Sequence, residues 1–326
     1  MTDIRWGILG TGNIARQFSE GLKALPDAQI AAVGSRSAAK AEDFGTQFNA
    51  PRRHGSYEAL AADPEVDIIY VATPHSLHCE NALLCLNHGK AVLCEKPFMI
   101  NAAQAREVIA AARSRGIFLM EAMWSRFFPL IDRVQTLIAE GAIGDLVFLQ
   151  ADFGFRADFN PASRIFNPEL GGGALLDVGV YPISLASLLF GTPDSVSGWA
   201  QLGQSGVDEA VGIVLGYGAG RAALIATTVR ANTAQEALLT GTKGRLKIHA
   251  PWWRPSSMTL SVGGKDEVIN VPFESNGYQY EAAEAMRCLR EGKTESNRMP
   301  LDETLSILET MDTLRRQWGL RYPTLE

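Results

Sequence analysis

A chain of 326 residues with 46% hydrophobic and 20% charged residues can bury more than one core, which excludes a disordered or fibrous protein and predicts two domains. A net charge of −6 with no basic run excludes nucleic acid and anionic membrane as partners and leaves small-molecule chemistry. The N-terminal MTDIRWGILG has neither a basic region nor a cleavable apolar segment, and no stretch reads as apolar over a full bilayer, so a cytoplasmic protein is expected. Cys79, Cys85, Cys94 and Cys288 show no C-x-x-C spacing and no flanking His cluster, so reduced thiols are expected rather than zinc ligands or disulfides.

Ile4, Trp6, Ile8 and Leu9 predict a short buried strand, followed by the tight turn Gly10-Thr11-Gly12-Asn13-Ile14-Ala15 and the start of a helix. Such a strand-turn-helix suits a pyrophosphate: the first glycine reverses the chain, the second admits the phosphates, and the small Ala15 lets helix and strand pack. N–H groups at the helix start face the anion, where the dipole also favours it. Residues 29–34 predict a second parallel strand ending in Ser35-Arg36-Ser37. An acid at this tip would accept from the ribose 2′-OH of NAD, and none is present; Ser35, Arg36 and Lys40 suit the 2′-phosphate of NADP. Ser37 reads either as a further phosphate contact or as the N-cap of a helix over 38–48.

The nearly all-apolar run 66–71 predicts a central parallel strand, closed by Ala72-Thr73-Pro74-His75. Thr73, Pro74, His75 and His78 then lie where open α/β sheets bind ligands, with Pro74 a stiff ledge for a nicotinamide. A metal pair from His75 and His78 lacks a third ligand. A helix through Leu86 leads to a strand over 91–94 that ends in Glu95-Lys96-Pro97, placing Glu95 and Lys96 at the same sheet edge. Asn101-x-x-Gln104 reads as a capping box for a helix over 102–114, and 117–120 is the last strand of the first domain. The alternation over 4–120 is a doubly wound parallel sheet.

Beyond residue 121 the pattern changes. A helix to about Glu140 precedes strands near 147–155, 195–202, 211–217, 222–230, 236–240, 245–248, 258–262 and 268–271, an antiparallel sheet with few intervening helices. Few of these strands alternate to a polar face, so a second subunit is expected to cover one side of the sheet, giving a homodimer or a dimer of dimers. Helices over 280–290 and 301–318 close the chain. The division expected is 1–121, a Rossmann domain for NADP, and 122–326, an α+β domain for substrate and oligomerisation. In Gly171-Gly172-Gly173-Ala174-Leu175-Leu176-Asp177-Val178-Gly179-Val180-Tyr181-Pro182, a helix would turn Asp177 and Tyr181 to one side, with a kink at Pro182.

Gly10-x-Gly12-x-x-Ala15, Thr73-Pro74, Glu95-Lys96-Pro97 and Gly172-Gly173-x-Leu175-x-Asp177-x-Gly179-x-Tyr181, in this order over nearly the whole chain, resemble the glucose-fructose oxidoreductase (Gfo/Idh/MocA) family. Glu121-Ala-Met-Trp124-x-Arg126-Phe127 with the Tyr181 motif further resembles its NADP-dependent branch of dimeric dihydrodiol dehydrogenases and D-xylose dehydrogenases. Much of the wider family has His where this chain has Tyr181, which suits that branch and sets aside inositol-type substrates.

The resemblance implies an oxidoreductase that transfers a hydride between NADP and a secondary alcohol or hemiacetal carbon of a sugar or cyclic trans-diol. Tyr181 would be the acid/base, Lys96 the cation that lets a hydroxyl of ordinary pKa near 10 act at neutrality, and Asp177 an orienting group. Trp124, Arg126, Phe155 and Arg164 would line the substrate pocket with Tyr181, alongside Phe153 and one of Trp252 or Trp253; Tyr278 or Tyr280 are further candidates. Two alternatives stand beside this reading: an NADPH-dependent reductase of a ketone or anhydroketose sugar, and a non-catalytic NADP-sensing regulator.

Overall fold

Six parallel strands carry the first part of the computed structural model, which describes residues 3–322 and 325. In chain order these elements are β1 (Ile4–Leu9), α1 (Asn13–Leu22), β2 (Ala28–Gly34), α2 (Ala38–Phe48), β3 (Arg52–His54) and α3 (Tyr57–Ala61). There follow β4 (Ile68–Val71), α4 (His78–Asn87), β5 (Ala91–Glu95), α5 (Ala102–Arg115) and β6 (Leu119–Ala122). The sheet order is β3-β2-β1-β4-β5-β6, every pair parallel. Strand order reverses between β1 and β4, so the loops after these strands flank the switch point at which such sheets bind ligands.

The central strands are apolar because helices cover both faces: Ile8, Leu9, Val33, Ile69 and Leu93 have no exposed surface. Phe18 on α1 stacks on Tyr70 with ring centres 3.7 Å apart and meets the edge of Trp6, burial worth roughly 1.5–3 kcal/mol for Phe18. Side-chain caps start the helices as their sequences suggest. Ser37 Oγ accepts from Lys40 N–H and Asn101 Oδ1 from Gln104 N–H, while the Gln104 side chain accepts from Ile100 N–H, one residue before the cap. β3 and α3 escape a periodicity argument, being only three and five residues long.

After α6 (Pro129–Ala139) comes β7 (Leu146–Gly154), then a helical segment whose last part is α7 (Val180–Phe190). The strands β8 (Ser195–Leu202), β9 (Asp208–Tyr217), β10 (Arg221–Thr228) and β11 (Ala237–Gly241) follow, with β12 (Gly244–Ile248), β13 (Ser257–Val262) and β14 (Lys265–Asn270). Their order is β14-β13-β12-β11-β7-β10-β9-β8, antiparallel except for the parallel pair β7 and β10. α8 (Tyr278–Arg290) and α9 (Leu301–Trp318) complete the chain's regular elements.

The chain separates into two units, residues up to Trp124 with Glu274–Leu305, and Ser125–Phe273 with the residues from Ser306 onward. The sequence division at 121/122 gave all later residues to the second domain, whereas Glu274–Leu305 pack on the first. The reason is local. Asn276 donates to Gln17 O on α1, Arg290 pairs with Asp27 at 2.7 Å, Leu119 N–H of β6 donates to Thr294 O, and Thr304 donates to Glu121.

Two expectations for the second unit need correction. Pro168–Phe190 is long and apolar enough to cross a membrane by length and composition, contrary to the sequence reading, but 78% of its most apolar window is buried, as in the central helix of a folded unit. Nor does Pro182 end or interrupt α7. The adjustment falls one turn earlier, where Leu175–Gly179 widens into a π-helical turn and Val180 N–H donates to Leu175 O.

Candidate active site

Candidate site residues occur in both units. In the first, Gly10 leaves β1 with φ +106° and its N–H on Gly34 O; a Cβ here would lie 2.9 Å from Ala72 O, so only glycine fits. Gly12 is the N-cap of α1 without a side-chain cap, and a Cβ on it would meet nothing within 4 Å. The first-turn N–H groups of α1 therefore open onto free space beside Thr11, exposed Asn13 and half-buried Ile14, as a bound pyrophosphate requires. Ala15 is fully buried against the sheet.

At the tip of β2, Ser35 is buried and its Oγ accepts from Ser37 N–H, while Ser37 serves as the cap of α2. The side chains of Arg36 and Lys40 are exposed, and neither has a hydrogen bond or ion pair among the described residues. The residues thus fit a nicotinamide dinucleotide: a bare turn for its pyrophosphate and two cations, without an acid, at the strand tip.

The strand ends β4 and β5 carry the remaining candidates. Thr73 accepts from Asn81 Nδ2 at 3.2 Å, and Pro74 is exposed ahead of a single 3₁₀ turn, His75–Leu77. His78 was expected to face the cofactor, but it is fully buried, with Nε2 2.9 Å from Thr73 O and Nδ1 2.9 Å from Pro97 O. Burial holds its imidazole below the ordinary value, and its role is to tie the two strand-end loops together.

Glu95 likewise turns its carboxylate inward: it accepts from Tyr70 Oη and from Lys96 N–H and is 4% exposed. It belongs to a buried acidic group with Glu121, which accepts from Phe98 N–H, and Glu281 on α8. Burial, then Glu95 and Glu121, push the Glu281 carboxyl well above the usual range. Sequence reading missed this group, although Glu281 breaks the apolar face made by Tyr278, Ala282 and Ala285. Trp124 stacks on Tyr278 with ring centres 4.3 Å apart, and Tyr280 Oη accepts from Glu274 N–H.

In the second unit Tyr181 lies on α7, 6% exposed, with its ring centre 5.4 Å from that of Phe153 on β7. Phe153 in turn stacks on Trp253 at 3.4 Å. Of the two tryptophans, Trp252 is buried and donates Nε1 to Asp152 O, while Trp253 is half-buried against Phe153. Asp177 is buried and pairs with the half-exposed Arg164 at 2.7 Å, a partner within its own unit. Arg126, expected in the pocket, is instead 4% exposed and clamps α7 by donating Nε to Ser184 Oγ and Nη2 to Ser184 O. Phe155 is half-buried, held through its N–H on Thr228 O.

Comparison with known proteins shows the family. Residues 4–123 match the model for the oxidoreductase family with an NAD-binding Rossmann fold, GFO/IDH/MocA, and residues 131–247 match the C-terminal domain of that family. The trans-1,2-dihydrobenzene-1,2-diol dehydrogenase of Xenopus laevis is 41% identical over 98% of this chain and 99% of its own. Among solved structures, the 3-ketoreductase KijD10 from Actinomadura kijaniata, in complex with NADP and TDP-benzene, is 27% identical with a TM-score of 0.86, covering 97% of this chain and 98% of its own. The aldose-aldose oxidoreductase from Caulobacter crescentus, complexed with glycerol, is 26% identical with a TM-score of 0.89, covering 96% and 97%.

Proposed function

Because the chain belongs to the Gfo/Idh/MocA family of oxidoreductases, enzymes that use a nicotinamide dinucleotide, we propose that it is an NADP-dependent dehydrogenase of a sugar or cyclic trans-diol. The observation that carries this reading is the setting of Tyr181: one hydroxyl on a ring held against Phe153, which itself stacks on Trp253, four residues along the helical segment from an acid paired with Arg164. Aromatic faces of this kind suit the flat side of a pyranose or a cyclohexadiene diol. The nicotinamide, when bound, supplies the hydride chemistry. The protein's task is the proton.

In oxidation Tyr181 takes the hydroxyl proton of the substrate, and in reduction it returns one to the carbonyl oxygen. Lys96 serves as the cation that favours the tyrosinate. Asp177, neutralised by Arg164, keeps the helix register and the polarity beside Tyr181. The first unit binds NADP, with Arg36 and Lys40 on the 2′-phosphate. Reduction of a ketone sugar is the second reading, favoured by the likeness to a 3-ketoreductase.

The test is NADPH formation by the purified protein with trans-dihydrodiols and aldoses, and NADPH consumption with ketone sugars. Turnover with the first group supports the dehydrogenase, turnover only with the second supports the reductase, and tight NADPH binding with none supports a regulator. In the same assay Arg36→Ala is expected to weaken NADP about tenfold and NAD less than twofold, as loss of a charge-assisted phosphate contact would. Equal weakening of both cofactors would refute the phosphate assignment.

The second unit also forms a homodimer or dimer of dimers through the open face of its sheet. Support comes from that face: Ser197, Val214, Leu224, Gln150 and Leu238 stand in one cross-strand row, with Trp199 62% and Val214 47% exposed, over a groove of about 520 Å³. A face that leaves Trp199, Val214 and Leu224 exposed together is expected to be covered in solution. Light scattering should give at least twice the 35.3 kDa chain mass, with Trp199→Glu shifting it toward the monomer; a monomeric wild type would end this part of the reading.

A further inference from the structure

We infer that Asp208, at the start of β9, is a positioning residue: it anchors the N-terminus of the helical segment that presents Asp177 and Tyr181. The inference rests on the acid/base reading of Tyr181. Asp208 has no exposed surface, and its Oδ2 accepts from Leu175 N–H at 2.6 Å. Leu175 opens the π-helical turn that runs into α7, six residues before Tyr181. A π turn holds more than four residues, so the angle between Asp177 and Tyr181 depends on where the turn begins. Fixing Leu175 fixes that phase.

The glycines before the segment fit the same role. Gly173, at φ +119°, donates its N–H to Ile165 O and its own carbonyl accepts from Asp177 N–H. A Cβ on Gly173 would collide with Asp208 Oδ1, so the bare backbone is what lets the carboxylate reach Leu175. Gly172 is held from the other side, its carbonyl accepting from Tyr322 Oη at 2.6 Å.

A carboxylate kept solely for stability would be poorly placed here. Oδ1 has no hydrogen-bond partner, and burial pushes the group up to about 7 despite Leu175 and Ala174 N–H and the Arg315 cation. Arg315 on α9 is itself paired with Asp312 at 3.3 Å, and the neighbouring Glu209 is paired with Arg230. A carboxyl whose folded value is raised contributes stability at low pH that is lost as pH rises toward 7. The charged form therefore burdens the fold in the range where it holds Leu175 most strongly, a trade expected of a functional group.

The experiment compares Asp208→Asn with wild type and Tyr181→Phe in melting temperature, NADPH Kd, KM and kcat between pH 5 and 8. Asp208→Asn is expected to melt at or above wild type at pH 8, the difference growing as pH rises toward 7, and to keep KM and Kd within about twofold. Its kcat should be about tenfold low at pH 8, the difference between a charged and a neutral acceptor, and should converge on wild type below pH 6. A wild-type kcat at every pH overturns the inference, as does a loss that is equal at pH 6 and 8 or that follows a lowered melting temperature. The two readings fail separately: a fully active Tyr181→Phe removes the acid/base assignment, whereas an inactive Tyr181→Phe with a fully active Asp208→Asn removes only the anchor.

Discussion

Tyr181→Phe is expected to lower kcat by about 10²–10⁴-fold, the usual worth of general acid–base catalysis, while leaving the NADPH Kd within about twofold. The substitution is a clean one. The ring keeps its place against Phe153 at 5.4 Å and only the hydroxyl is lost, so packing on α7 is conserved. Lys96→Met should give a loss of similar size, because a tyrosine hydroxyl titrates near 10 and is a poor base at neutral pH without a cation to favour its ionised form. The two defects should not multiply, since each disables the same proton transfer. Stopped-flow single turnovers measure this directly: loss confined to the chemical step fits the assignment, and a Tyr181→Phe enzyme with wild-type single turnovers removes it. The Lys96 variant also separates enzyme from regulator, since a regulator would keep its partner affinity and have no turnover to lose.

The parallel sheet was legible because its strands are buried on both faces and its helices carry side-chain caps, so apolar runs and Ser37 or Asn101 mark the boundaries. The Gly10 turn was legible for a related reason: a positive φ and a close backbone approach leave only one residue type possible. What periodicity could not show is which polar side chains turn inward. His78, Glu95 and Arg126 lie beside the expected ligand-binding loops in sequence, yet each is buried and bonded within the protein, to Thr73 O, Tyr70 and Ser184 among others. Burial of such groups depends on residues far along the chain. The same holds for Asp208, whose partner Leu175 lies 33 residues away, and for Glu274–Leu305, which return to the first unit through contacts that no local pattern encodes. Pro182 misled for a different reason: the rule that proline disturbs a helix is correct, but the disturbance was absorbed in the preceding turn.

Gly10→Ala is expected to weaken NADPH binding about 10²-fold. The strain is of two kinds. At φ +106° a side chain costs about 1–3 kcal/mol, and the added Cβ would press on Ala72 O at 2.9 Å, forcing the turn away from the end of β4. The turn is also what aims the first N–H groups of α1, and loss of one or two charge-assisted hydrogen bonds to phosphate, each worth about 1.5–3 kcal/mol, accounts for the drop in affinity. Gly12→Ala separates folding from ligand approach. Gly12 is extended, at φ −73° and ψ −177°, and its Cβ would meet no protein atom within 4 Å. This variant should therefore melt like wild type and still bind NADPH more weakly, because the methyl occupies space the phosphates need. Fluorescence titration with NADPH, read beside thermal melts, distinguishes the outcomes. Wild-type affinity in both variants would mean that the turn does not hold the pyrophosphate, whereas weakening in Gly10→Ala alone would mean that it acts through backbone strain without close contact at Gly12.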